Sequence, residues 1–178
     1  MAESETHYTL PSPRFSEPTR LLIVVAPYYR DIADQLITGA KAAIKAAGAT
    51  HELVEVPGAL EVPTAIRFAA NSRDFDGFVA LGCVIRGETT HYETVCNDSS
   101  RALQLLGLDG VALGNGILTV ENRAQAEIRA NALGQNKGGG AAEAAMHLIL
   151  LARKFNRATK GIGFRPASEN ILIADSGE

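Results

Sequence analysis

The chain has 178 residues, 46% of them hydrophobic and 21% charged, with a net charge of −3. That length and balance suit one compact domain with a real core, and the slight acidity offers no basic footprint for nucleic acid. No apolar run is long enough to cross a bilayer, and the polar start, with Glu3 and Glu5, lacks the apolar centre of a secretory signal, so a cytoplasmic protein is expected.

Residues 1–18 are rich in Ser, Pro, Glu and Thr and read as a flexible leading segment. Arg20–Ala26 is a strand segment apolar throughout after Arg20, as in a parallel strand buried on both faces. After the loop Pro27-Tyr28-Tyr29, Asp31–Ala47 has helical spacing, with Ile32, Leu36, Ile37, Ala40 and Ile44 on one face and Gly48 as its stop. His51–Val56 is a second strand, Pro57-Gly58 a turn, and Glu61–Asn71 a second helix with Pro63 in its first turn. Phe75–Val84 then reads as strand, Thr90–Leu106 as helix, Val111–Leu118 as strand and Glu121–Leu133 as helix. Gly138-Gly139-Gly140 leads into an Ala-rich last helix, Ala141–Phe155. The domain therefore spans residues 19–158. In the tail 159–178, Ile162, Phe164, Ile171, Leu172 and Ile173 suggest docking onto the domain or a neighbour, with a disordered tail the alternative.

Strands alternating with helices predict an α/β fold: three αβα layers around a four-stranded, mainly parallel sheet with flavodoxin-like winding. Such sheets bind ligands beyond the carboxyl ends of their strands. The loops expected there are Pro27–Arg30, Pro57–Glu61, Ile85–His91 and Asn115–Glu121.

The most informative segment is Gly82–Tyr92, where a strand ends, turns through Gly87 and opens a helix carrying His91 in its first turn. Unpaired N–H groups at a helix start favour anions such as phosphate, and an imidazole there can move protons near neutral pH. His91-Tyr92-Glu93 matches half of a zinc-deaminase signature, but the P-C-x-x-C half is missing and Cys96 is off the helical face of His91, so no metal is assigned. The same geometry argues against Cys96 as a nucleophile; Cys83 and Cys96 read as small buried thiols. Gly114-Asn115-Gly116 is too partial a dinucleotide fingerprint to imply a nucleotide cofactor. Arg129 and Lys137 are candidate anion contacts if they reach the Gly87–Thr90 turn, within the chain or across a subunit boundary; otherwise they are solvated cations. Tyr28-Tyr29 offers a stacking face for a planar ligand or, alternatively, covers the core edge.

Several segments, in order, resemble the lumazine synthase family: Val56–Pro63, Leu81–Tyr92, Thr94–Asn97, Gly116–Asn122, Gln125-Ala126 and Asn136–Gly138. The resemblance runs from about Leu21 to Phe155. It implies condensation of 5-amino-6-(D-ribitylamino)uracil with 3,4-dihydroxy-2-butanone 4-phosphate to 6,7-dimethyl-8-ribityllumazine, a step of riboflavin synthesis, with no metal or organic cofactor. It assigns stacking on the pyrimidine to Tyr28, and the ribityl chain and pyrimidine to Ala59, Leu60 and Glu61. Cys83, Val84 and Ile85 read the pyrimidine edge, Glu88 and Thr89 form the phosphate seat, and His91 transfers protons. Asn115, Arg129 and Lys137 would come from an adjacent subunit, Arg129 gripping phosphate. The implied assembly is a homopentamer or a multiple of pentamers, with riboflavin synthase a possible partner. A shell is permitted, because no insertion separates Arg129 from Lys137. The chain departs from the family at Asn115, where many members carry Phe, and at Gly140, where an acidic residue is common. A non-catalytic flavin- or lumazine-binding protein, or a structural shell-former, on the same scaffold is the rival expectation.

Overall fold

The computed structural model describes residues 10–161. Residues 1–9 of the flexible start expected over 1–18, and residues 162–178 of the tail expected over 159–178, lie outside the described residues. Among the described residues four strands alternate with four helices, and a fifth helix follows the fourth: β1 (Arg20–Val25), α1 (Arg30–Ala46), β2 (Thr50–Glu55), α2 (Glu61–Ser72), β3 (Gly77–Ile85), α3 (His91–Leu108), β4 (Leu113–Val120), α4 (Arg123–Ala130) and α5 (Lys137–Gly161). The sheet order is β2-β1-β3-β4, and all the pairs are parallel. This is a three-layer α/β fold with the flavodoxin-like order. The chain moves outward from β1 to β2, then returns to place β3 on the other side of β1. That reversal opens a crevice at the carboxyl ends of β1 and β3.

Two apolar layers flank the sheet. Leu21, Ile23 and Val25 of β1 and Val79 and Leu81 of β3 pack with Leu36, Ala40 and Ile44 of α1, Ala126 and Ala130 of α4, and Ala142, Ala145 and Met146 of α5. The alternate residues Leu22, Val24, Phe78 and Ala80 face Val62 and Ile66 of α2 and Leu103 and Leu106 of α3. Burial on both faces is why β1 reads as one apolar run rather than an alternation.

The helix ends differ from expectation in informative ways. The three glycines do not precede the last helix; they form its first turn, which begins at Lys137. A Cβ at Gly138 would lie 2.1 Å from the backbone oxygen of Leu36, so glycine is required for α5 to start against α1. Asn136, at φ 46°, closes the turn by accepting the Gly139 N–H with its Oδ1 at 3.0 Å. The fourth helix is shorter than expected at both ends. Asn122 caps its start by accepting the Gln125 N–H (3.0 Å). At its end Asn131 leaves helical geometry, and its side chain accepts the Leu133 N–H (2.9 Å). Strand β4 runs on to Val120, paired with Ile85, so Asn115 is a mid-strand residue opposite Ala80 rather than a loop residue.

Residues 10–19 run along α1 and α5. Phe15 donates its N–H to the Ala47 carbonyl (2.9 Å), Arg153 of α5 stacks over the Phe15 ring, and its Nη1 donates to Thr19 Oγ1 (2.9 Å).

The glycine triplet yields a paired expectation. Gly138→Ala overpacks the α1–α5 contact and should lower unfolding stability by about 1–3 kcal/mol or more. Gly140→Ala, whose Cβ would meet no atom within 4 Å, should be neutral or raise it by up to about 1 kcal/mol through helix propensity. Urea unfolding followed by circular dichroism separates the two.

Candidate active site

The crevice at the β1–β3 reversal is a cleft of about 530 Å³, a size that suits a small organic ligand. Four segments line it. Ala26, Tyr28 and Tyr29 follow β1; Pro57–Glu61 follow β2; Cys83, Val84 and Ile85 end β3; and Gly87, Thr89, His91, Tyr92 and Val95 belong to the next loop and α3. Of the residues expected from the sequence, Tyr28, Ala59, Leu60, Glu61, Cys83, Val84, Ile85, Thr89 and His91 are thus brought together. Glu88 lies within the same loop, exposed. Asn115, Arg129 and Lys137 do not line this cleft. The Asn115 side chain accepts the Ile117 N–H at 3.0 Å, Arg129 Nη1 donates to the Gln125 carbonyl at 3.1 Å, and Lys137 is exposed at the start of α5.

The wall after β1 is aromatic. Tyr28 is 76% exposed, and its ring meets that of Tyr29 edge-to-face, 5.0 Å between centroids. Tyr29 packs on the α1-side core, and burial, with the neighbouring Tyr28, raises its pKa. An outward Tyr28 propped by a half-buried ring leaves one aromatic face free for a planar ligand. The floor is neutral: burial pushes the Cys83 thiol up to about 11, so it stays protonated near pH 7.

The loop from Arg86 to Thr90 is built from backbone. Arg86 N–H still donates to the Val120 carbonyl (2.9 Å), the last rung of the ladder. Beyond it, the N–H groups of Gly87, Glu88, Thr89 and Thr90 donate to no acceptor among the described residues. Thr90, the residue before α3, makes no side-chain cap. A Cβ at Gly87 would meet no atom within 4 Å, so the cleft is open where the backbone lines it. Unpaired amides at a helix start, with His91 as the first helical residue, are an arrangement that can receive an anion beside an imidazole.

One residue is more prominent here than the sequence suggested. Arg86 donates from Nε to Glu121 Oε2 (2.6 Å) and from Nη1 to Glu93 Oε1, and lies 4.2 Å from the Tyr92 ring centroid. Its hydrogen bond holds the Glu93 carboxyl below its ordinary pKa. Arg86 stands inside the motif, but the Glu121 partner is distant in sequence, so local pattern gives no sign of the contact. Arg123 pairs with Asp31, tying the start of α4 to that of α1.

The 6,7-dimethyl-8-ribityllumazine synthase family model matches residues 18–153. The chain belongs to the lumazine synthase family. A 6,7-dimethyl-8-ribityllumazine synthase of Jannaschia sp. (strain CCS1) is 53% identical over 163 residues, covering 92% of this chain and 91% of the relative. One from Novosphingobium aromaticivorans is 53% identical over 137 residues, 77% of this chain and 99% of that protein. A 6,7-dimethyl-8-ribityllumazine synthase 1 of Rhizobium meliloti (strain 1021) is 52% identical over 144 residues, 78% of this chain and 94% of the relative. The family match spans all four strands and both sides of the cleft.

The raised Cys83 pKa gives a pH expectation. Burial disfavours the thiolate, so its alkylation rate should keep rising about tenfold per pH unit up to roughly pH 10, beyond the levelling near 8.5 of an ordinary thiol. Iodoacetamide labelling read by peptide mass spectrometry checks this.

Proposed function

We infer that this chain condenses 5-amino-6-(D-ribitylamino)uracil with 3,4-dihydroxy-2-butanone 4-phosphate to give 6,7-dimethyl-8-ribityllumazine, releasing phosphate and water. The observation that carries the reading is the row of unpartnered amides at Gly87–Thr90 beside His91, in a cleft of the right size and in a chain of this family.

The steps suit these groups. The pyrimidine amine adds to the ketone and loses water to form an imine. Removal of the C3 proton then expels phosphate from C4 and leaves an enol, which tautomerises to a new carbonyl at C3. The ribitylamino nitrogen closes the second ring onto that carbonyl with loss of a second water. Most of this is proton transfer, for which His91 serves as acid and base, worth about 10²–10⁴ in rate. The larger share comes from holding two substrates in one geometry. Tyr28 stacks on the pyrimidine. Cys83, Val84 and Ile85 read its edge, and a neutral thiol is compatible with that role. Ala59, Leu60 and Glu61 hold the ribityl chain. The amides of Glu88 and Thr89 receive the phosphate, so charge on the leaving group is stabilised without a protein nucleophile.

In this reading Asn115, Arg129 and Lys137, which lie away from their own cleft, serve the cleft of a neighbouring protomer, with Arg129 on the phosphate. The working unit is then a homopentamer or a multiple of it in the cytoplasm, able to hand its product to a riboflavin synthase. Asn115 would give that shared wall a polar amide in place of an aromatic ring, weakening stacking while leaving the chemistry intact.

Lumazine absorbance after mixing the two substrates tests the reaction. His91→Ala should lower kcat/KM by about 10²–10⁴, whereas Cys96→Ala should stay within about twofold of wild type. Arg129→Ala should lose more activity than Lys137→Ala; parity of Arg129→Ala with wild type removes the phosphate role.

A further inference from the structure

Among the described residues the Gly87–Thr90 loop makes no hydrogen bonds through its own N–H groups and has no side-chain cap, yet its amides must point one way to hold an anion. Its two anchors are the end of β3 and the first turn of α3. Among the described residues, Arg86 alone makes hydrogen bonds or ion pairs joining that turn to a strand end: Nη1 to Glu93 on α3, Nε to Glu121 just after β4. The guanidinium plane also covers the Tyr92 ring in the same turn. One planar group therefore fixes the β3 end, the β4 end and the α3 start relative to each other.

Arg86 is poorly placed to be an anion ligand itself. Two carboxylates occupy its fork, and the three side chains together carry a net negative charge. Its value as a general stabiliser is also small, because side chains 41–56% exposed form ion pairs that water screens. What it supplies is geometry and charge cancellation. Without it, Glu93 and Glu121 would stand unneutralised beside the seat, and the loop would lose its cross-tie.

We propose that Arg86 is the positioning residue of the anion seat: it sets the direction of the Gly87–Thr90 amides and of His91, and masks the Glu93 and Glu121 carboxylates, so that the phosphate-bearing substrate can bind. This rests on the reaction assigned above. A lysine could keep the charge but not the two-pronged planar grip.

The test uses the full chain and begins with wild type, whose lumazine production judges the reaction by itself. Arg86→Gln should stay folded with a similar melting temperature. It should raise KM for the butanone phosphate by about tenfold or more, and the inhibition constant of inorganic phosphate comparably, while KM for the pyrimidine stays within about twofold. Arg86→Lys should fall between Arg86→Gln and wild type. An unchanged phosphate-substrate KM in Arg86→Gln, or both KM values rising together, overturns the inference. If Arg86→Gln does not fold, Glu121→Gln, which opens one arm of the fork, takes its place with the same criteria. If wild type forms no lumazine, the reaction fails separately, and calorimetric titration with inorganic phosphate decides this point: weaker binding in Arg86→Gln supports it, and equal or absent binding in both overturns it.

Discussion

The position of the cleft depends on β3 being fixed at both edges and on both faces. Five of its residues pair with β1 and eight with β4, and Phe78 to Leu81 are buried. A slip of one residue would turn Val79 and Leu81 from the α1 side toward α2 and α3 and carry Phe78 and Ala80 the other way. The cost of that exchange locks the register. Because the register is locked, the strand must end where it does, with Cys83 on the floor and Arg86 at the rim. The sheet reversal beside it supplies the hollow.

Much of this was legible in the sequence, because β1 and β3 are short apolar runs bounded by turn residues and the helices carry one apolar face. The parallel order followed from strict alternation. What was less legible lies at the ends of elements, where distant neighbours decide. Three consecutive glycines look like a linker until α1 is known to press on them through Leu36. The fourth helix appeared longer because Asn122 and Asn131 act as caps rather than helical residues, a choice their side-chain hydrogen bonds make. Asn115 fell both within the strand expected over Val111–Leu118 and at the head of the loop expected after it; pairing with β3 holds it extended.

The cleft residues were legible for a different reason. They fall at the carboxyl ends of β1, β2 and β3 and in the loops and helix starts that follow, where the fold class alone expects ligands. Arg86 was visible as a letter of a motif but not as a clamp, since its two carboxylate partners lie 7 and 35 residues away and only the fold brings them together. The contacts of Phe15 and Arg153 were hidden in the same way, across more than a hundred residues of chain.

The cleft divides its work between two kinds of atom. Aromatic and imidazole groups come from side chains, whereas the donors at Gly87–Thr90 come from the main chain. Every amino acid except proline brings such a donor. Genetic drift at positions 88 to 90 would therefore change little so long as the backbone path is kept. The heritable weak points of this enzyme lie in the struts around the receptor, where one altered codon can tilt several main-chain dipoles at once.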